Sequence, residues 1–302
     1  MRLYHGRIVL ARLYFKLYKW SDNVSVRIID CKAIASDMRE ATLELLEDCQ
    51  EAPCLAIVTV GRKSDSEYFV NRLDAACGKT GIDTIHYDFD ENTTADEVQQ
   101  QIRSCVCGET SHVSAILVRI YDSAKFIGGT VDMNDILSEL PACMDVEGVS
   151  TMYRPMITPP AALGLMQLLF DQYQMHGFED CKLDGAEVVI YGRSETFCRP
   201  LERLMADENA TVTICHQGTK NLAEVIQRGD IVIMAGSGLL TGEMVKPGAV
   251  VFDCYDRSTD FDSVYQVAGA MTAEPEGPSL LEIEGFLYNT AVLKNIQEAT
   301  GV

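Results

Sequence analysis

The chain has 302 residues, enough for two domains of ordinary size, and its 47% hydrophobic and 23% charged content reads as soluble and globular. A formal net charge of −20 argues against a nucleic-acid partner, and no apolar run approaches the roughly 18 residues that span a bilayer, so no membrane segment is expected. The 11 cysteines are scattered, with no CxxC pair and no histidine near Cys105-Val106-Cys107, and read as reduced thiols of a cytoplasmic protein.

Residues 1–25 read as an N-terminal extension. Arg2, Arg7, Arg12, Lys16 and Lys19 precede any acid and alternate with Tyr4, Tyr14, Phe15, Tyr18 and Trp20. Organelle transit peptides are also basic and acid-poor, but this stretch lacks their serine content. A disordered arm, or a start codon placed too far upstream, is the alternative. From residue 26 the pattern alternates. Val26–Ile29 predicts a strand, Lys32–Asp48 a helix, Leu55–Val60 a buried strand closed by Gly61, and Ser66–Lys79 a helix. Thr84–Phe89 predicts a strand, Thr93–Val106 a helix with a Thr-Thr-Ala-Asp cap, Ala115–Tyr121 a strand and Val131–Leu140 a helix. Pro155, Pro159 and Pro160 then break the chain, and a helix runs to about Gln174. Beyond it, Glu187–Tyr191, Thr211–Cys215, Ile231–Ala235 and Val250–Cys254 read as Val- and Ile-rich parallel strands. Helices at Phe197–Asp207 and Asn221–Arg228 connect them, and Leu280–Gln297 forms the last helix.

These elements imply an α/β protein of two domains. Residues 26–158 with 279–302 form the first, completed by the last helix, and 159–278 form a C-terminal Rossmann-like parallel sheet that binds NAD(P). The strand Glu187–Tyr191 runs into Gly192-Arg193-Ser194 and then a helix, a junction where spare backbone amides and the helix dipole hold a pyrophosphate. The later glycines of the usual fingerprint are absent, and Cys198 stands where the last small residue would be. The second strand ends in Cys215-His216-Gln217-Gly218-Thr219, without the carboxylate that holds the adenine ribose in NAD binders. Arg193 is suited to a 2′-phosphate, so NADP is expected ahead of NAD. Gly236, Ser237 and Gly238, after the third strand, would lie under the cofactor, their glycines permitting close approach.

Taken together, these residues resemble the bifunctional methylenetetrahydrofolate dehydrogenase/cyclohydrolase family. The likeness lies in Ile28–Ala35, Leu55–Gly61, Thr158-Pro159, Gly192-Arg193-Ser194 with Pro200, Ala210–His216, Lys246–Asp253 and Tyr288-Asn289-Thr290, and runs from about residue 26 to the end. It implies a folate domain and a cofactor domain either side of a cleft, a homodimer, a tetrahydrofolate derivative as the small-molecule substrate, and a Tyr and Lys four residues apart on one helix as catalytic groups. A Gln at a strand end and an Asp in a following loop assist them.

This sequence departs at each of those positions. An ungapped count back from Ala76-Cys77 and Gly81 puts Phe69 on the Tyr and Leu73 on the Lys, while a shift of one gives Tyr68 and Arg72. Arg119 stands at the Gln, and Glu147, in Asp145-Val146-Glu147-Gly148, stands at the Asp. Asp145, Glu147, Pro275 and Gly277 are the expected substrate-binding residues, the last two in a shortened loop. An NADP-dependent oxidoreductase of folate-bound one-carbon units, without the cyclohydrolase step, is therefore expected. The alternatives are a non-catalytic dinucleotide- or pterin-binding relative with a regulatory role, or a dehydrogenase for a different, anionic substrate met by Arg119.

Overall fold

The computed structural model describes residues 26–61, 64–90, 92–107, 112–121, 133–150, 156–173, 183–255, 258–272 and 277–301. The N-terminal extension, most of the Val131–Leu140 helix start and Pro275 lie outside them. Of the described residues, Met38–Pro160 with Ile283–Val302 form one compact unit, and 26–37 with Ala161–Glu282 form another. No helix among the described residues is long and apolar enough to cross a membrane.

The first unit holds a three-stranded parallel sheet in the order β3-β2-β4, made of β2 (Cys54–Val60), β3 (Asp83–Phe89) and β4 (Ala115–Ile120). Every residue of β2 is buried, as a central strand covered on both faces requires. Helices α2 (Ser64–Thr80), α3 (Ala95–Cys107) and α4 (Met133–Leu137) accompany it; α1 (Cys31–Glu47) begins in the other unit and ends in this one. The start of α3 is a reciprocal cap: the Glu97 amide donates to Thr94 Oγ1 (3.2 Å) and the Thr94 amide to Glu97 Oε2 (2.8 Å). The last helix, α9 (Ser279–Thr300), completes the unit. Its Gln297 Nε2 donates to the carbonyls of Ser114 (2.7 Å) and Cys143 (2.8 Å), and Phe286, Leu287 and Tyr288 are buried.

The second unit is a six-stranded parallel sheet in the order β1-β9-β8-β7-β5-β6. Its strands are β1 (Arg27–Ile29), β5 (Glu187–Tyr191), β6 (Thr211–Cys215), β7 (Ile231–Met234), β8 (Val250–Asp253) and β9 (Ala270–Thr272). Helices α5 (Pro160–Tyr173), α6 (Cys198–Asp207), α7 (Leu222–Ile226) and α8 (Phe261–Tyr265) belong to the same unit. Pro160 opens α5, a position where its missing N–H is no loss.

Two differences from the sequence reading follow from strand length. Residues 26–29 were expected with β2–β4, but β1 pairs with β9, Ile28 beside Met271 and Ile29 beside Thr272. A three-residue strand shows its alternation without showing its partner. Likewise β9, Ala-Met-Thr, is too short to carry a period, and the sequence reading does not anticipate it.

Candidate functional site

In the second unit β5 has β6 on one side and β7 on the other, so the strand order reverses there. Crevices at such reversals, beyond the carboxyl ends of the strands, are where open α/β sheets take their ligands. The Gly192 amide donates to the Cys215 carbonyl at the end of β6 (3.0 Å), and the Ala235 amide donates to the Tyr191 carbonyl (2.8 Å). A Cβ on Gly192 would lie 2.8 Å from the Ala235 carbonyl oxygen and 2.9 Å from Cys198 Sγ, so only glycine fits. Burial pushes the Cys198 thiol up, chiefly by desolvation; it stays protonated and packs as a small apolar group beneath the turn.

Phosphate donors were expected where Gly192-Arg193-Ser194 leads into the helix placed at Phe197–Asp207. The helix instead begins at Cys198, and the Ser194 carbonyl accepts from the amides of both Cys198 (2.9 Å) and Arg199 (3.2 Å). Pro200 has no N–H. Among the described residues, the amides of Arg193, Ser194, Glu195, Thr196 and Phe197, in the turn ahead of the helix, have no hydrogen-bond partner. They sit ahead of the positive end of α6, an arrangement suited to an anion. Arg193 is exposed and Ser194 half-buried, with Ser194 Oγ 3.2 Å from Thr196 Oγ1.

At the end of β6, His216 Nδ1 accepts from the Gly218 amide (3.1 Å), and Thr219 Oγ1 accepts from the His216 amide (3.0 Å). That first bond leaves the neutral imidazole's proton on Nε2. Gln217 is exposed. At the end of β7, Gly236 is half-buried and Ser237 and Gly238 are exposed. All the residues expected to bind the coenzyme thus gather at the carboxyl ends of β5, β6 and β7. Asp253, at the end of β8, is one the sequence reading did not assign. Its Oδ1 accepts from Ser258 Oγ (2.5 Å) and the Tyr255 amide (3.2 Å), while Oδ2 is buried without a partner among the described residues. The glycine-only turn, the spare amides and the absence of a carboxylate at the end of β6 fit a phosphorylated dinucleotide.

The first unit holds the positions of the expected proton chemistry. On α2, Leu73 is fully buried, while Phe69 is half-buried and meets Phe286 of α9 edge-on, centroids 5.7 Å apart. The Arg119 guanidinium lies over Phe69 (4.9 Å) and Phe286 (5.6 Å) and pairs with Glu147 Oε1 (3.2 Å). Phe69, Arg119 and Glu147 therefore come together. Tyr68 is 68% exposed and Arg72 stacks on its ring at 5.5 Å, a separate surface pair. Phe286 was missed because nothing local in the sequence of α9 marks it. The sequence places the last helix with this unit, but not which of its side chains meets Phe69 and Arg119.

Asp145 does different work from that expected. It is buried, and its carboxylate accepts from the amides of Glu147 (3.1 Å), Gly148 (2.9 Å) and Ser150 (2.6 Å), so it holds the turn that presents Glu147. Asn289 Nδ2 braces the same turn through the Val146 carbonyl (3.0 Å) and also reaches the Thr158 carbonyl (2.9 Å). Asp145→Asn would set an NH2 group against one of these amide donors. A loss of about 1–3 kcal/mol is expected, read as a lower midpoint in chemical denaturation. Gly277 is half-buried just ahead of α9, where its carbonyl accepts from the Leu280 amide (3.3 Å).

Comparison with known proteins adds to this geometry. Residues 159–298 match the model of the tetrahydrofolate dehydrogenase/cyclohydrolase NAD(P)-binding domain, and residues 29–120 match that of the tetrahydrofolate dehydrogenase/cyclohydrolase catalytic domain. The chain is 29% identical over 292 residues to the bifunctional protein FolD of Staphylococcus saprophyticus, covering 90% of this chain and 98% of that protein. It is 31% identical over 293 residues to the bifunctional protein FolD 2 of Frankia alni, covering 88% and 95%. Among solved structures, the bifunctional FolD methylenetetrahydrofolate dehydrogenase/cyclohydrolase of Campylobacter jejuni superposes with a TM-score of 0.78 at 25% identity, covering 90% of this chain and all 100% of that one.

Proposed function

Because the chain belongs to the tetrahydrofolate dehydrogenase/cyclohydrolase family, we propose that it is an NADP-dependent dehydrogenase of folate-bound one-carbon units that has lost the cyclohydrolase step. The observation that carries this reading is an asymmetry. The Gly192 turn keeps its shape and its spare amides, while the positions for proton work hold Phe69, a buried Leu73 and an Arg119–Glu147 pair.

The two reactions ask for different things. Oxidation of a methylene bridge needs substrate and coenzyme held close and aligned, and the nicotinamide, when bound, supplies the hydride acceptor. Attack of water on the methenyl product needs a group that carries a proton at that carbon. Leucine carries none, phenylalanine lacks a hydroxyl, and the Arg119 guanidinium does not release its proton near neutrality. Glu147 can accept an N–H of a pterin edge, but one of its oxygens is already engaged by Arg119. NADP is favoured over NAD by Arg193 and by the lack of a carboxylate after Cys215. The family likeness also supports a homodimer in a cytoplasmic setting.

The test is coenzyme reduction with methylenetetrahydrofolate, followed by the absorbance of the reduced nicotinamide. Turnover with NADP, faster than with NAD, is expected. No turnover with either, while both bind in calorimetry, would favour a non-catalytic dinucleotide-binding relative, the reading that the buried Leu73 supports. An Arg119→Gln variant separates off the anionic-substrate reading, since Arg119 is already paired with Glu147 and its loss would then leave the folate reaction standing.

A further inference from the structure

We infer that Tyr191 is a positioning residue of the dinucleotide site, tethering the Gly236-Ser237-Gly238 loop from beneath; the inference rests on the coenzyme reading above. Backbone bonds fix the two ends of this loop. The Ala235 amide donates to the Tyr191 carbonyl (2.8 Å), and the Leu240 amide donates to the Ser258 carbonyl (2.8 Å). Between them, among the described residues, the one hydrogen bond that reaches residues 236–239 comes from a side chain: Tyr191 Oη donates to the Ser237 carbonyl at 3.0 Å.

The phenol ring also explains a glycine. A Cβ on Gly238 would lie 2.8 Å from Tyr191 Oη and 2.9 Å from its Cε1 and Cζ, and a Cβ on Gly236 would lie 3.6 Å from Cε1. Gly238 therefore admits the tyrosine, a different purpose from the close coenzyme approach that the sequence suggests. Tyr191 ends a strand whose other inner residues are valine and isoleucine, and it is only 5% exposed. A phenol at such a place must find an acceptor, and it finds one in the loop. A stretch with two glycines and exposed Ser237 and Leu239 is entropically costly to hold in one shape. Fixing it in advance removes that cost from the binding step.

Tyr191→Phe keeps the ring and removes the bond. The coenzyme Kd is expected to rise roughly threefold to tenfold, the worth of one hydrogen bond, with the effect in KM for coenzyme and kcat changed by less than about twofold. Gly238→Ala is expected to weaken coenzyme binding further by driving a methyl into the phenol. In a Tyr191→Leu background the same change should add little, because the clash is gone. Hydrogen exchange in the coenzyme-free protein gives an independent reading: peptides covering residues 235–241 are expected to exchange faster in Tyr191→Phe. Unchanged exchange and Kd in that variant, or additive penalties for Gly238→Ala and Tyr191→Leu, would overturn the inference. A wild-type chain that binds neither coenzyme would overturn the functional reading and the positioning role together; exchange in the free protein tells that failure apart from failure of the tether.

Discussion

Replacement of Gly192 by valine is expected to weaken NADP binding by roughly a hundredfold or more, the largest effect of any single change in the second unit. The added Cβ would meet the Ala235 carbonyl oxygen at 2.8 Å and Cys198 Sγ at 2.9 Å. The first of these is backbone, held next to β5 by the bond from the Ala235 amide to the Tyr191 carbonyl (2.8 Å), and it cannot swing aside as a side-chain tip could. Either the turn lifts and its amides leave their places, or β5 and β7 separate. In both cases the arrangement suited to an anion is lost. Gly78→Ala, where nothing lies within 4 Å of the new Cβ, serves as the control and should leave binding intact. Calorimetric titration reads both. A Gly192→Val chain with wild-type affinity would mean that the coenzyme does not use this turn.

Leu73→Ala is expected to cost about 2–5 kcal/mol of stability, because it removes a fully buried side chain at a position that packing alone would explain. The melting temperature should fall by about 5–15 °C. Turnover per folded molecule, measured well below that temperature, should hardly change. The opposite result, lost turnover with an unmoved melting temperature, would tie Leu73 to the reaction rather than to packing.

How much of this could be read from the sequence depends on how local the cause is. β5, β6, β7 and β8 are short runs of valine and isoleucine bounded by turns, and their place in a parallel sheet follows from composition and the intervening helices. The α3 cap was legible because Thr94 and Glu97 satisfy each other within one turn. The register of α2 was legible only as a choice between Phe69 with Leu73 and Tyr68 with Arg72. Burial sets the two pairs apart: Leu73 is inside and Tyr68 faces water. Contacts between distant segments were not legible. β1 finds β9 across most of the chain, and Phe286 reaches the Arg119 guanidinium from the last helix. Nor could the sequence tell what an individual polar group does. Asp145 looks like a ligand-binding acid but caps backbone amides, and Gly238 looks like room for a coenzyme but makes room for Tyr191. The phosphate turn lay between these extremes. Its place was clear from strand and helix, but not that the Ser194 carbonyl takes the amides of Cys198 and Arg199 and leaves those of the preceding turn as the spare donors.

The same residues bear on why the two halves of the reaction would separate under the proposed function. An Arg–Glu pair resting on two phenylalanines is a stable arrangement in its own right, with its charges matched and its guanidinium face covered. It can hold a flat heterocycle by hydrogen bonds, but its guanidinium does not gain and lose a proton near neutrality.

The most direct measurement follows the fate of the product in a single cuvette: methylenetetrahydrofolate and NADP are mixed with the protein, and reduced coenzyme and methenyltetrahydrofolate are monitored together. Methenyltetrahydrofolate should accumulate in step with NADPH and then decay only as fast as it does in buffer. NADPH formed while the methenyl compound is hydrolysed faster than in buffer, or no NADPH at all, would contradict the proposed function.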